Sequence, residues 1–465
     1  MSQPLSFQPT RPKGLNRIGF TFVATLLAAG LASSPRALAQ AVPFGAADDP
    51  AEQVRAAWWQ DRNHLDVSGG LALIGPQWMG AASVEAQLAG RSYAARLRKT
   101  FHGGYYEYEE DYDELYDLAR IVRFARYAPP NRQFYARLGP IQQLRLGTGH
   151  LVNFFSSTSS WEDRTVGGEL YLGTPIGNAA FFTSDVRPSA VAGGHVSGQP
   201  FGGARSPWLR TLKVGASGVA DVGTLRDDEA RDLVGYQVEA QAAPLQAGTI
   251  HLAPFASVAG YAEHGRGVMG GVDLRSENFI DLARFRLRLG LDASGDRFLP
   301  GYVGTFYPVS NPRARILNAS RFQSPDSLHR FVDVPLRDVE SSWGLTTELR
   351  LLFFEAFELS YSFRRHYGPQ DLSTMHLRLF THVSDRLTLD VRQSRGGLNG
   401  FFSPFSDLDD RTLLVFNAAY QVSGGLWARV RSRYSFELRG TGSSGVKQYL
   451  VRRRFEPFVG IRYSF

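Results

Sequence analysis

"FVGIRYSF", residues 458–465, alternates two kinds of side chain. One face is apolar and aromatic throughout and consists of Val459, Ile461, Tyr463 and Phe465. The other face is mixed and carries a charge at Arg462. A period of two residues with one apolar face predicts a β-strand. A strand at the end of a soluble domain is usually followed by a few polar residues, so the aromatic ending needs an explanation from the rest of the chain.

The same alternation runs through the second half of the chain, and two of its polar faces are rich in arginine. In residues 283–292, ARFRLRLGLD, that face carries Arg284, Arg286 and Arg288. In residues 425–437, GLWARVRSRYSFE, it carries Arg429, Arg431 and Arg433. A soluble sheet with one buried face would show the same period, so the period alone does not separate a soluble fold from a membrane barrel.

Strand length and loop length favour the membrane barrel. The alternating stretches run to about ten residues, which is what a tilted strand needs to cross a bilayer. Short connections such as 354–356 and 384–385 alternate with long ones such as 396–410. Short turns on one side and long loops on the other are typical of outer-membrane barrels, and closure removes the sheet edge that lipid cannot tolerate. We therefore expect an all-β fold, a transmembrane antiparallel up-and-down β-barrel over residues 64–465.

Counting strands back from Phe465 gives twenty, with eighteen as the lower bound. The count includes one strand over 118–139, one over 142–155 and one over 189–200. An even number predicts that both ends of the barrel lie on the periplasmic side.

The N-terminal residues predict export. Basic residues precede an apolar run at 18–31, and the small residues 37–39 follow it, which is the pattern of a cleaved signal peptide over 1–39. A membrane anchor is the alternative, but the run has 14 residues and about 20 are needed to span a bilayer. Residues 40–63 then form a short periplasmic segment before the barrel. Removing 1–39 takes away four basic residues and no acids, which lowers the formal net charge from +7 to +3, so we expect no nucleic-acid partner.

Residues 458–465 resemble the C-terminal signal of outer-membrane β-barrel proteins, in which a terminal Phe follows apolar residues at two-residue steps. The resemblance implies that the barrel-insertion machinery reads Val459, Ile461, Tyr463 and Phe465. It also implies that this strand closes the barrel. Within residues 118–220, RIVRFARYAPPNRQFYARLGPIQQLRLGTGHLVNFF and LKVGASGVADVG resemble large uncharacterised outer-membrane barrels of Gram-negative bacteria. That second resemblance implies the fold and a cell outer-membrane location, and it implies no activity.

Sequence motifs for catalysis are missing. The chain has no Cys, and it contains no G-x-S-x-G, no P-loop and no H-E-x-x-H. We therefore expect no enzyme, no cofactor and no metal site, with an outer-membrane hydrolase as a weaker alternative.

The arginines are the candidate functional residues. If strands 425–438 and 446–465 are neighbours, one wall of the lumen carries Arg429, Arg431, Arg433, Arg452 and Arg454. A second ladder consists of Arg284, Arg286 and Arg288. Such walls lower the barrier for anions. Alternatively, the arginines pair with acidic residues across strands and fill the lumen; the candidate partners are Glu348, Glu358, Asp390, Glu437 and Glu456. Both interpretations stay open on the sequence.

Residues 295–341 are the longest connection and contain an aromatic cluster: Phe298, Tyr302, Phe306 and Tyr307. Aromatic residues favour packing, either as a constriction inside the barrel or over its mouth; disorder is the alternative. Residues 103–117 are acidic and rich in Tyr, and they either bridge lipopolysaccharide through divalent cations or form a solvated loop. We expect a passive channel or uptake barrel for small solutes, with anions favoured. The alternative is a structural or surface-binding barrel. The expected partners are outer-membrane lipids, lipopolysaccharide and an unknown solute.

The terminal aromatic residue provides a first test. Deleting Phe465, or replacing it with Asp, is expected to lower the yield of folded barrel sharply, because either change removes the residue on which the insertion signal ends. Heat-modifiable migration on a gel measures that yield, and Phe465→Tyr, which keeps an aromatic ring, is the control. Normal yield in the deletion variant would contradict the assignment of the signal.

Overall fold

The fold is known from a computed structural model, which describes most of the chain from Asn63 onwards. The described ranges are 63–90, 93–103, 115–127, 134–160, 165–174, 176–187, 190–221, 233–279, 282–310, 314–316, 336–354, 356–368, 372–384, 386–398, 408, 411–441 and 447–465. The predicted signal peptide (1–39) lies outside them, and so do the predicted segment 40–63 except for Asn63 and most of the acidic stretch 103–117.

Twenty strands form the wall of the barrel. They are β1 (His64–Ile74), β2 (Gln77–Ala89), β3 (Tyr93–His102), β4 (Val122–Tyr127), β5 (Phe134–Gly139), β6 (Gly167–Gly173), β7 (Gly177–Thr183), β8 (Val191–Gly198), β9 (Lys213–Asp221), β10 (Val234–Gln241), β11 (Ile250–Tyr261), β12 (Arg266–Phe279), β13 (Ala283–Ser294), β14 (Ser342–Phe353), β15 (Phe357–Tyr367), β16 (Thr374–Ser384), β17 (Leu387–Gly396), β18 (Thr412–Ser423), β19 (Leu426–Thr441) and β20 (Lys447–Ser464). Each strand pairs antiparallel with the next. Strand β1 also pairs antiparallel with β20, with His64 opposite Ser464. The predicted closed antiparallel barrel is therefore confirmed.

The remaining elements are short. Two three-residue strands lie beside the wall: Leu245–Ala247 pairs with β11, and Ala314–Ile316 runs parallel to β20. The helical turns are α1 (Leu115–Ala119), α2 (Pro207–Thr211), α3 (Tyr307–Ser310) and a 3₁₀ turn at Leu336–Asp338. No helix in the described ranges is long and apolar enough to cross a membrane.

The two rims of the barrel differ. We call the rim with His64 and Ser464 the terminal rim and the opposite one the loop rim. Connections at the terminal rim are mostly brief, such as 354–356 and 424–425, whereas 295–341 and 397–411 join strands at the loop rim. One long connection, 199–212, belongs to the terminal rim and contains α2.

Alternation along the strands gives the barrel an apolar exterior and a polar interior. On β20, Val459 and Ile461 are exposed, and Ile461 is 66% accessible. On β13, Leu289 and Leu291 are exposed, whereas Arg288 between them is buried. Apolar surface in water costs about 25 cal/mol per Å², so a continuous apolar exterior suits a bilayer and not water.

The strand count agrees with the sequence, but two strand assignments do not. Residues 118–139 form β4 and β5 instead of one strand, and Pro129 and Pro130, which cannot donate to a sheet ladder, fall between them. Residues 142–155 are not a wall strand. The chain turns into the lumen there, with positive φ at Gln143 and Phe154, and a narrow hairpin joins Leu144 to Phe155.

Residues 140–160 and 295–310 together form a plug inside the barrel. Phe298, Val303 and Tyr307 from the second segment are fully or almost fully buried. They belong to one apolar cluster with Leu151 and Phe155 from the first segment. The aromatic cluster of 295–341 thus packs inside the barrel, which is the constriction that the sequence left as one of two options.

The tip of the plug, residues 146–151, is fastened to β10. The backbone N–H of Thr148 donates to Glu239 Oε2 at 2.5 Å, and that of Leu151 donates to Gln237 Oε1 at 2.9 Å. Gly147 has φ +53°, and a Cβ there would collide with the Glu239 carboxylate. Glycine at this position therefore permits both the turn and the close approach to the wall.

We expect Gly147→Ala to loosen the plug. A left-handed residue other than glycine costs about 1–2 kcal/mol, and the collision with Glu239 adds to that cost. The matched control is Gly248→Ala, where φ is +60° and a Cβ meets nothing within 4 Å. Thermal unfolding of the purified barrel should show a clearly larger loss of stability for Gly147→Ala. Equal losses would mean that the contact with Glu239 does not hold the plug.

Candidate functional site: an arginine-lined chamber beside the plug

A cavity of about 350 Å³ lies between the plug and the wall. We call it the basic chamber because eleven arginines line it: Arg96, Arg98, Arg123, Arg126, Arg137, Arg378, Arg392, Arg429, Arg431, Arg433 and Arg462. Among the described residues, the carboxylates that share the lining are Glu85 and Asp390. Hydroxyl and amide groups of the plug, including Gln142, Ser156 and Thr305, complete it.

Strand parity brings the arginines together. Arg429, Arg431 and Arg433 occupy alternate positions on β19, and all three are buried. Strands β2 to β5 and β16 to β18 face the same space and supply most of the other arginines. A closed barrel therefore concentrates in one volume residues that are far apart in sequence.

Carboxylates compensate this charge only in part. Asp66 accepts from Arg429 and lies 3.3 Å from Arg462. Glu85 lies between Arg96 at 3.8 Å and Arg98 at 3.6 Å.

Three more carboxylates make ion pairs with the lining. Asp390 lies 2.9 Å from Arg392, Glu169 pairs with Arg137, and Glu358 pairs with Arg378. With Asp66 and Glu85 included, these pairs and the lining contain five carboxylates, and a sixth, Glu456, lies opposite Arg431 in the strand register. Arginines thus outnumber these carboxylates among the described residues, and low-dielectric walls focus the field of the lining.

The predicted arginine ladders separate in the structure. Arg429, Arg431 and Arg433 line the chamber, but Arg452 and Arg454 do not. Arg452 instead pairs with Glu437 at 2.7 Å, and Arg454 is buried opposite Arg433.

The β13 ladder lies outside the chamber as well. Arg286 donates to Asp273, Arg288 stacks 4.1 Å over Phe255, and Arg284 is exposed near the terminal rim. The four residues of the insertion signal all face outward and are exposed: Val459, Ile461, Tyr463 and Phe465. Their recognition by the insertion machinery stays a prediction.

Sequence reasoning missed the arginines of β3, β4 and β5. Arg96 and Arg98 alternate as the other ladders do, so the parity signal was present. The sequence predicted that the barrel closes, but it did not give the register in which β1 pairs with β20. That register decides which residues of β3 face the β19 ladder.

A second cavity of about 60 Å³ adjoins the chamber. Gln143 and Arg378 line both spaces. The ring of Phe154 stacks on His376 with centroids 4.2 Å apart, and Arg145 donates to Glu348 at 2.7 Å. The plug therefore touches the wall beside this cavity through charged and aromatic contacts.

One arrangement inside the barrel has the residue types of a hydrolase. Ser217 Oγ lies 2.9 Å from His195 Nδ1, and His195 Nε2 lies 3.6 Å from Glu239. Glu239 already accepts from the plug backbone and from Gln237, and Ser217 lines neither cavity. The trio therefore supports the plug. Among the described residues, no group of three or more His, Asp or Glu could hold a metal ion.

Closure with an apolar exterior and a charged interior is the architecture by which strands span a membrane. The described residues have this architecture, that of a closed 20-strand antiparallel β-barrel. No family model matches it, and no curated protein matches it.

Several solved structures are similar to this barrel. OpdL of Pseudomonas aeruginosa and OccAB3 of Acinetobacter baumannii each show 10% identity and a TM-score of 0.32, over 87% of this chain and 99% of theirs. The Escherichia coli protein Wzi, described as a carbohydrate-binding β-barrel involved in group 1 capsule assembly, shows 10% identity and a TM-score of 0.33 over 92% of this chain and 91% of its own. Wzi is described as an outer-membrane protein, and the likeness of the three structures to this chain is one of fold.

The plug contains a buried histidine that is neutral at ordinary pH. His150 is fully buried, its Nδ1 lies 3.1 Å from Ser257 Oγ, and its ring packs edge-on to Phe298. Burial, and then the charges of Arg364 and Arg288, lower the pKa of His150 to about 3.

We expect this histidine to make the plug sensitive to acid. Its pKa is about 6.5 in the unfolded chain and about 3 in the folded barrel, so between these values the unfolded state binds the extra proton. The stabilisation is complete above pH 6.5 and falls by up to about 1.4 kcal/mol per pH unit below it. Apparent melting temperatures from pH 7.5 to 4 should fall less steeply in His150→Gln than in the wild type. Parallel curves would show that His150 does not titrate with this shift.

Proposed function

We propose that the barrel is a passive uptake channel for small anionic solutes, which the basic chamber collects beside the plug. The observation that supports this proposal is the lining of eleven arginines and two carboxylates. A guanidinium can bind a carboxylate or an inorganic oxyanion through two parallel hydrogen bonds. The excess of arginines lowers the free energy of an anion in the chamber and raises that of a cation.

The plug limits the size of what passes. It is tied to β10 through Thr148 and Leu151 and to β14 through Arg145 and Glu348. Because these contacts lie on different walls of the lumen, a small rotation of the plug would break several of them together. We therefore expect a narrow, persistent constriction and permeation by small solutes only.

The alternative, a structural or surface-binding barrel, would use the loops and leave the lumen closed. It explains the many ion pairs, since paired arginines can simply fill space. It does not explain why eleven arginines surround a cavity with so few acids. A barrel that only needed filling could use hydrophobic or neutral residues at lower desolvation cost.

Ion selectivity in planar bilayers tests the proposal. In a salt gradient at about 0.1 M, where the Debye length is about 10 Å, the wild type is expected to favour anions. The preference should weaken near 1 M, where that length is about 3 Å. The double variant Arg431→Ser with Arg433→Ser should shift the reversal potential toward cations, because it removes two charges from the lining.

Arg453→Ser is the matched control, because Arg453 is on the neighbouring strand but faces outward and lies beside the Tyr434 ring. It should leave selectivity unchanged. A wild-type barrel that conducts nothing, or a double variant that keeps its selectivity but melts earlier, would favour the structural barrel.

A further inference from the structure

The plug does not contact all walls in the same way. Toward β9 and β11, Phe298 and Tyr307 join Val219 and Tyr261 in one buried apolar cluster. Two hydrogen-bond contacts accompany it, because the Tyr307 hydroxyl donates to Asp221 and His150 Nδ1 lies 3.1 Å from Ser257 Oγ. Toward β18–β20, Phe306 and Val309 pack with Leu413, Phe436 and Tyr449. Apolar side chains dominate both contacts, and the hydroxyls of Tyr307 and Ser257 have protein partners there.

Toward β13, β14 and β15 the contacts are polar. Arg364 on β15 donates to the carbonyl of Gly149 in the plug tip at 3.2 Å and to Thr346 on β14. Asp292 and His366 face the same space, and both side chains are buried. This wall therefore meets the plug through charges, hydroxyls and an imidazole.

Several buried polar atoms on this wall have no hydrogen-bond partner among the described protein atoms. They are Asp292 Oδ2, Ser294 Oγ, His366 Nε2 and Arg288 Nη1, and His150 Nε2 faces them from the plug. Leaving a buried polar group unsatisfied destabilises the fold. Ordered water normally satisfies such groups in native proteins, so a cluster of them marks a place that water fills.

Two glycines let charged groups enter this space. Gly344 lies between Asp292 and His366 in the strand register. A Cβ on Gly344 would lie 2.6 Å from Asp292 Oδ2. On the plug, a Cβ on Gly301 would collide with the Arg364 guanidinium. The two glycines therefore allow the Asp292 carboxylate and the Arg364 guanidinium to lie between the wall and the plug, where the unsatisfied atoms occur.

The polar residues of β13, β14 and β15 that face the plug form a row, and this polar row continues into the basic chamber. The end of the row farther from the loop rim meets the second cavity, which is lined by Arg286, Glu348 and Ser362. That cavity shares Gln143 and Arg378 with the chamber. The other end of the polar row reaches Ser294, which is the last residue of β13 and lies at the loop rim.

We infer that a line of ordered water molecules runs along β13, β14 and β15 between the wall and the plug, and that this hydrated file is the route by which solutes pass the plug. The inference rests on the proposed channel and gives it a path. A small anion of carboxylate or inorganic oxyanion size would enter at the loop rim, pass Arg364 and Arg288, and then reach Arg378 at the basic chamber. Asp292 stands on this route as a negative charge, so Asp292→Asn should raise the anion preference.

Cysteine accessibility tests the file directly, because the chain has no Cys of its own. The variants are Ser294→Cys, in the file, and Ser217→Cys, equally buried but on β9 and hydrogen-bonded to His195. An anionic methanethiosulfonate reagent should modify the first variant roughly tenfold faster or more, since only an accessible thiolate reacts. Mass spectrometry measures the rate, and Thr346→Cys is the substitute if Ser294→Cys does not fold.

Conductance after modification completes the test. The adduct adds bulk and negative charge, and it should reduce single-channel current in Ser294→Cys while leaving Ser217→Cys unchanged. Equally slow modification of both thiols would overturn the file even if the barrel conducts selectively. Rapid modification without loss of current would place the route elsewhere. Rapid modification of a barrel that never conducts would uphold the file and refute the proposed channel function.

Discussion

Closure of the sheet is the constraint on which everything else depends. In lipid, each backbone N–H and C=O of a strand must find its partner in a neighbouring strand, and the pairing of β1 with β20 satisfies the two strands that would otherwise form edges. Once the sheet is closed, alternation assigns one face of every strand to lipid and the other to the lumen. The apolar exterior therefore requires a polar interior, and twenty strands enclose more space than wall side chains fill. The plug and the basic chamber both follow from that surplus of space.

The sequence predicted the wall well because the wall is periodic. Two-residue alternation and loop length identified eighteen of the predicted strands at or near their places, and the outward face of residues 458–465 agrees with the predicted apolar face. The sequence did not predict the inward turn of 142–155. The left-handed conformations of Gln143 and Phe154 have no pattern in the sequence. At these two residues the backbone leaves the extended conformation, so that a stretch with the pattern of a strand forms the first segment of the plug.

The candidate site was predicted only in part for a different reason. Parity shows which residues face the lumen, but it does not show which residues meet across it. Arg431 and Arg452 were expected to act together, yet Arg452 is neutralised by Glu437 and only Arg431 reaches the chamber. Arg96 and Arg98 were overlooked although their spacing is the same. Cross-lumen proximity depends on barrel size, strand order and the plug, and none of these is encoded locally.

The register that joins β1 to β20 also has a consequence for biogenesis. His64 and Ser464 are paired although nearly the whole barrel sequence lies between them. Contacts of such long sequence separation form late, because loop-closure entropy must be overcome first. Until β20 has been synthesised, β1 presents an unpaired edge, which is an aggregation hazard in transit. The pairing of β20 with β1 therefore makes the last strand a condition for a sealed wall.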